Sequence, residues 1–208
     1  SYNTLKEDCK QFKISFAELN DFKTLKFKNF FTTKECGFIQ AGRMQFINFK
    51  NSKGLLVSLD DEKGRNSSMH TPEPKAQNIN SIFGKIIFVD FKDKQYTNFS
   101  SGHRNPQGLL VEENLILSTE HGPRGGDEIN KIEFNKNYGW PIASYGEGYF
   151  PKNNPVYIKN HNSKNFQEPI FSFVPSIGIS EIIKLPDNFL KFWNNNYLIA
   201  SLWGHHLY

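Results

Sequence analysis

The chain has 208 residues, 38% hydrophobic and 22% charged, the balance of a folded globular domain, which excludes the disordered, collagenous and disulfide-scaffold classes. Its 25 basic and 21 acidic residues leave a net charge of +4 with no polybasic block, so nucleic acid is not implied as a partner. The longest apolar runs, such as 86–89, fall far short of the roughly 20 residues of a spanning helix, and Ser1-Tyr2-Asn3-Thr4 does not open a signal peptide, so an exported form would carry its signal upstream.

Short runs rich in Phe, Ile, Val and Leu, bounded by Gly, Asn, Asp and Pro, recur along the chain without a sustained helical period. In chain order they predict strands over 10–16, 25–31, 42–49, 54–59, 84–91, 95–99, 108–111, 115–119, 128–134, 181–184 and 197–202, hence an all-β protein. A weak repeat runs through them: 54–60, 114–120 and 196–202 each carry a turn residue, a hydrophobic strand and a small polar end. The first two follow a partner strand and a tight turn, which is the hairpin of a propeller blade, and a spacing of roughly 60–80 residues implies long loops between blades. The stretch 199–208 reads as a strand, a turn and the start of a second strand with nothing closing it, so 1–208 is expected to be an incomplete propeller of about three to four blades, truncated at both ends.

Arg43, Arg65, Arg104 and Arg124 are the four arginines in a lysine-rich chain, and each marks a place where a planar fork was kept over the default cation. Cys9 and Cys36 match no zinc spacing; one bridge between neighbouring strands and two unpaired thiols both stay open.

Residues 101–140 carry the chemistry, gathering His103, Arg104, Asn105, Glu120, His121, Arg124, Asp127, Glu128 and Asn130 among six glycines, Pro106 and Pro123. The segments 102–108 and 120–128 flank one predicted hairpin, so their loops are expected on one end of one blade. Gly-rich loops let backbone carbonyls approach a ligand, and carbonyls with carboxylates are the oxygen set that Ca²⁺ prefers. Taken singly, Asp127-Glu128 reads as a solvated turn and His103 or His121 as a hydrogen-bonded structural histidine; their concentration points to a site.

The segments Gly102-His103-Arg104-Asn105-Pro106-Gln107-Gly108, Glu120-His121-Gly122-Pro123-Arg124-Gly125-Gly126-Asp127-Glu128-Ile129-Asn130 and Asn137-Tyr138-Gly139-Trp140-Pro141 closely resemble the signature of the pyrroloquinoline quinone (PQQ)-dependent glucose/sorbosone dehydrogenase family, in its soluble aldose sugar dehydrogenase branch. Weaker resemblance continues through Gly42-Arg43, Gly64-Arg65-Asn66, His70-Thr71-Pro72, Gly84-Lys85 and 176–180. The resemblance implies a six-bladed β-propeller that oxidises an aldose at its anomeric carbon to the lactone, with PQQ and Ca²⁺, in the periplasm or outside the cell, passing electrons to an unknown acceptor. It implies Arg104, Asn105, His121 and Tyr149 as cofactor contacts. It implies the carbonyls of Gly122 and Pro123 as ligands of the Ca²⁺ beside PQQ, and Glu128 with the Tyr138 carbonyl as a second, structural Ca²⁺ site. Aligned on Gly42-Arg43, the place of the family's general-base His holds Ile39, leaving His121 as the substitute base, and the place of a PQQ-binding Lys holds Trp203. On this reading Ile39→His and Trp203→Lys restore a base and a cation. The alternatives from other classes are a non-catalytic, Ca²⁺-stabilised propeller that binds a carbohydrate or a protein, and an incomplete gene product without a function of its own.

Overall fold

The computed structural model describes residues 1–6, 8–19, 23–62, 74–149 and 156–208. The motifs at Gly64-Arg65-Asn66 and His70-Thr71-Pro72 lie outside them. The described strands are β1 (Tyr2–Lys6), β2 (Cys9–Phe16), β3 (Lys28–Thr32), β4 (Met44–Phe49), β5 (Ser52–Leu59), β6 (Lys85–Asp90), β7 (Tyr96–Ser101), β8 (Pro106–Glu112), β9 (Leu115–Glu120), β10 (Asp127–Lys131), β11 (Lys136–Asn137), β12 (Phe171–Phe173), β13 (Ile179–Lys184) and β14 (Tyr197–Ser201). Among the described residues, only short 3-10 turns at His161–Lys164 and Lys191–Trp193 interrupt this all-β order. No helix among the described residues is long and apolar enough to cross a membrane.

The strands form four sheets: β1-β2-β3, then β4 to β7 with β11 added in parallel beside β7, then β8-β9-β10-β12, then β13-β14. Apart from β11, every pairing is antiparallel. The three repeated segments fall on β5, β9 and β14, each the second strand of a hairpin. Beyond β14 the chain returns antiparallel, with Ile199 and Tyr208 exchanging both backbone hydrogen bonds, so the expected second strand does begin.

Strand alternation explains how the sheets pack. On β5, Val57 and Leu59 turn toward Phe12, Ile14 and Phe31 of the first sheet, whereas Leu56 turns the other way toward Leu109 of the third. On β6, Ile87 and Val89 share the first interface and Ile86 and Phe88 the second. Leu117 of β9 meets Ile179, Ile182 and Ile199 of the fourth sheet. The sheets therefore stack face to face in chain order, with an apolar layer between each pair, and each fully buried Leu, Ile or Phe is worth about 1.5–3 kcal/mol.

Two covalent and ionic ties reinforce this order. Cys9 and Cys36 form a disulfide, with Cα atoms 5.1 Å apart, joining the start of β2 to the loop after β3. Arg43, just before β4, donates through Nε to the Gln107 carbonyl at 2.7 Å and pairs through Nη1 with Glu181 at 2.9 Å, linking the second sheet to the third and fourth.

Strands β1, β11 and β12 are absent from the sequence-based expectation. β3 begins at Lys28, because Leu25 and Phe27 are 49% and 67% exposed and lie before the paired segment.

Candidate functional site

The loops before β8 and after β9 meet at one edge of the third sheet, as a hairpin requires. The His121 N–H donates to the Asn105 carbonyl at 3.0 Å, and Arg104 Nη1 donates to the His121 carbonyl at 2.8 Å. Gly102 is at φ +74°, and a Cβ there would lie 2.1 Å from Asn137 Oδ1 and 2.6 Å from the Gly139 nitrogen, so only glycine lets the 137–139 turn close over it. Gly126, also at φ +74°, approaches Gly146 in the same way, and Gly125-Gly126 thereby packs against the 145–147 loop.

Glu120, at the end of β9, organises the first loop. Its Oε1 accepts the Arg104 N–H and its Oε2 lies 3.0 Å from His103 Nδ1, while His103 Nε2 meets Ser100 Oγ at 2.8 Å. His103 is fully buried and stacked on Tyr138 with centroids 4.7 Å apart, which is the structural role for a histidine. Asp127 is equally committed: it accepts from Gly122 N–H, Ser176 Oγ, Ile177 N–H and Ile179 N–H, tying the second loop to the start of the fourth sheet. Asp127-Glu128 is thus a buried pair, 1% and 8% exposed, and the solvated-turn reading fails.

Arg104 is 5% exposed, with its guanidinium 5.3 Å from the Trp140 ring centre. The indole is held in turn by Asp61, whose Oδ2 accepts the Trp140 Nε1–H and whose own N–H donates to the Arg104 carbonyl at 3.0 Å. Tyr157 packs against Trp140 with centroids 5.4 Å apart, and its hydroxyl is pushed up to about 12 by burial, against the opposing charge of Arg104. Tyr149 lies near enough to add to that rise, but is itself 39% exposed. Asp60, beside Asp61, accepts the N–H groups of Gln40 at 2.8 Å and Ala41 at 3.4 Å. Burial, with help from Asp61, raises its carboxyl to about 6.

Arg104, His121, Gly122, Pro123, Glu128 and Tyr138 line one cavity of about 10 Å³, the space of a single water or ion. Burial holds the His121 imidazole below its usual range; Asp127 opposes that, Arg104 adds to it, and Glu120 opposes it. Glu128 is pushed up to about 8, first by burial and then by the Glu120 charge. A much larger groove of about 600 Å³ between the first two sheets is lined by Ile14, Phe16, Met44, Phe46 and Phe91 and carries no comparable chemistry.

Not every expected residue joins this cluster. Asn105 turns its Oδ1 to Gln107 Nε2 at 2.6 Å, and Trp203 is 83% exposed beyond Gly178. Ile39 is 3% exposed in the core between the first two sheets, with Phe12, Phe83 and Val57, and both its backbone groups are bonded by the Asn3 side chain. A histidine there would enter an apolar core, which argues against Ile39→His as a way to restore a base. Sequence reasoning missed Asp60, Asp61, Tyr157 and His161. The acidic pair after β5 was visible in sequence, but its bonding to Trp140 spans 79 residues and leaves no local pattern.

Comparison with known proteins now identifies the class. The family model described as glucose/sorbosone dehydrogenase matches residues 1–208, and the chain belongs to that family. It is 30% identical over 178 residues to aldose sugar dehydrogenase YliI of Escherichia coli K12, covering 78% of this chain and 44% of that protein. It is 36% identical over 96 residues to quinoprotein glucose dehydrogenase B of Acinetobacter calcoaceticus, covering 38% of this chain and 20% of that one. Its fold matches the crystal structure of the soluble aldose sugar dehydrogenase of Escherichia coli in the apo-form, with a TM-score of 0.76 and 23% identity over 99% of this chain and 65% of that one. The chain thus spans less than half the length of these curated relatives.

Proposed function

We propose that the chain is part of a six-bladed β-propeller enzyme, periplasmic or secreted, that uses PQQ and Ca²⁺ to oxidise an aldose at its anomeric carbon to the lactone. Family membership and the quinoprotein named among its relatives support the reaction class. Four sheets stacked in chain order support the propeller, and the Cys9–Cys36 disulfide supports an oxidising compartment. The observation that carries the reading is Arg104, a buried guanidinium braced by Trp140 and Asp61 at the rim of two glycine-rich loops. A braced planar cation suits a cofactor bearing three carboxylates.

The donor set also fits a cation. Glu128 is a buried carboxylate raised by burial and by Glu120, an electrostatic deficit that a divalent ion would offset. Glu128 and the Tyr138 carbonyl would hold one Ca²⁺, and the Gly122 and Pro123 carbonyls the one beside PQQ. Bound together, PQQ and its Ca²⁺ supply a polarised two-electron acceptor for the anomeric hydride. The residues of this chain do the rest. Arg104 and Asn105 would orient the cofactor, Tyr149 would wall it, and His121, its imidazole lowered by burial, would accept the proton of the anomeric hydroxyl.

The second reading is a non-catalytic propeller that binds a carbohydrate or a protein, and Ile39, a side chain that cannot take a proton at the position aligned with the family's general base, favours it. The two are separated by loading the full-length protein with PQQ and CaCl₂ and following aldose-dependent reduction of an artificial dye. Turnover that requires both additions supports the dehydrogenase. Saturable cofactor uptake without turnover on any aldose supports the binder.

A further inference from the structure

Lys85, at the start of β6, is a buried cation that the cofactor reading does not use. It is 1% exposed, and its Nζ donates to the carbonyls of Lys75, Ala76 and Phe83, each at 2.9 Å, so all three of its donors are spent on backbone. Burial pulls the ammonium down to about 8, and Glu35 opposes that from a distance, its own carboxylate being engaged by Ser81 Oγ, the Ile82 N–H and Lys75. Burying an ammonium costs free energy that neutral carbonyls offset only in part, and an apolar side chain of the same length would cost less. What the charge holds together is therefore the question.

The three carbonyls belong to the two ends of one loop, 75–84. At one end, the Ala76 carbonyl also accepts the Gly102 N–H at 3.1 Å, and Gln77 Nε2 donates to the Trp140 carbonyl at 2.6 Å while its Oε1 accepts from Asn137 Nδ2 at 2.7 Å. At the other end, the Gly84 carbonyl accepts the His103 N–H at 3.1 Å, and the Gly84 N–H donates to the Asp60 carbonyl at 2.8 Å. Gly84, at φ +65°, lets the two ends touch, since a Cβ there would lie 2.4 Å from the Ala76 Cβ. The backbone that leads into Arg104 and the backbone of the indole under its guanidinium thus hang from the same loop, and the Trp140 N–H closes the circuit on the Gly102 carbonyl at 3.0 Å.

We propose that Lys85 is a positioning residue for the cofactor site: its ammonium draws the two ends of the 75–84 loop together, and that loop sets the Arg104 guanidinium against the Trp140 ring. This deepens the cofactor reading and rests on it. The rival is a lysine that serves the stability of the second sheet alone.

The test is a PQQ titration of the full-length, calcium-loaded protein, wild type against Lys85→Met, which keeps the length of the side chain and removes the donors. Lys85→Met should weaken PQQ by about tenfold or more, as displacement of a supported binding group does. In an Arg104→Gln background the same change should add less than about twofold, because its effect passes through that guanidinium. In the cofactor-free protein the ¹H–¹⁵N signal of the Trp140 indole, assigned with Trp140→Phe, should shift in Lys85→Met while those of Trp193 and Trp203 stay in place. Should Lys85→Met fail to fold, Gln77→Leu cuts the same path beyond the lysine and is expected to give the same shift and the same loss. An unmoved indole signal with unchanged PQQ affinity in whichever variant folds, or a full loss retained in the Arg104→Gln background, overturns the proposal. If the wild type takes up no PQQ the quinoprotein reading falls, and the indole signal still decides whether Lys85 positions Trp140.

Discussion

The Arg104 guanidinium lies over the ring of Trp140, and the same indole is bonded through Nε1 to Asp61, a residue whose backbone also holds Arg104. The three form a closed triangle that joins the end of β5 to the loop before β8 and the turn after β11. Asp61 and Trp140 are 2% and 3% exposed, so neither partner of their bond can turn to water if the other is removed. Trp140→Phe should therefore cost about 1–3 kcal/mol in urea unfolding. Asp61→Ala combined with it should cost less than the sum of the single changes, and strict additivity would show that the two side chains act independently.

Asp60 makes stability depend on pH. Its carboxyl stands at about 6 in the native chain against an ordinary 3.8, so the folded state holds a proton that the unfolded state has lost. That contribution is complete below about 3.8 and is lost as pH rises through about 6. Asp60→Asn keeps an oxygen for the Gln40 and Ala41 N–H groups and removes the titration. It should raise stability at pH 7 by up to about 3 kcal/mol and flatten the fall between pH 4 and 6 expected of the wild type in thermal melts. An unchanged slope would move the titration to another group.

The disulfide closes a separation of 27 residues and anchors the loop that leads through Gln40 and Ala41 to Asp60. Its reduction, or Cys9→Ser with Cys36→Ser, should cost about 2–4 kcal/mol, read as a fall of roughly 5–15 °C in Tm. A fall within error would mean that the bridge adds nothing to the packing of the first sheet.

Ile39→His places an imidazole among Phe12, Phe83 and Val57. The expected outcome is a loss of about 2–4 kcal/mol in stability with no gain in aldose oxidation. A tenfold gain in activity would show that the 38–42 loop repacks to carry the new side chain to the cofactor.

What was legible in the sequence follows from how local each cause is. β5 and β6 announce themselves because consecutive apolar residues face two different cores, so Ile86 to Val89 reads as an unbroken run. The two chemical loops were legible because glycine, arginine and histidine are costly to keep together without a reason. By contrast, β11 is two residues long and exists only through its parallel pairing with β7, and β12 is three residues recruited by the edge of β10. β1 reads as mixed polar sequence, and its register against β2 supplies what its pattern does not. His161 stood as an isolated histidine in a polar stretch; its burial beside Glu128 appears only when the chain folds.

The most direct test of the quinoprotein reading is a titration of full-length, calcium-loaded protein with PQQ, followed by the cofactor's absorbance, in the wild type and in Arg104→Gln. The expected result is saturable binding of one PQQ per chain, weakened at least about tenfold when the fixed cation is removed, as the loss of a charge-assisted bond worth about 1.5–3 kcal/mol requires. Absence of a spectral change at saturating PQQ, or an equal affinity in Arg104→Gln, would contradict it.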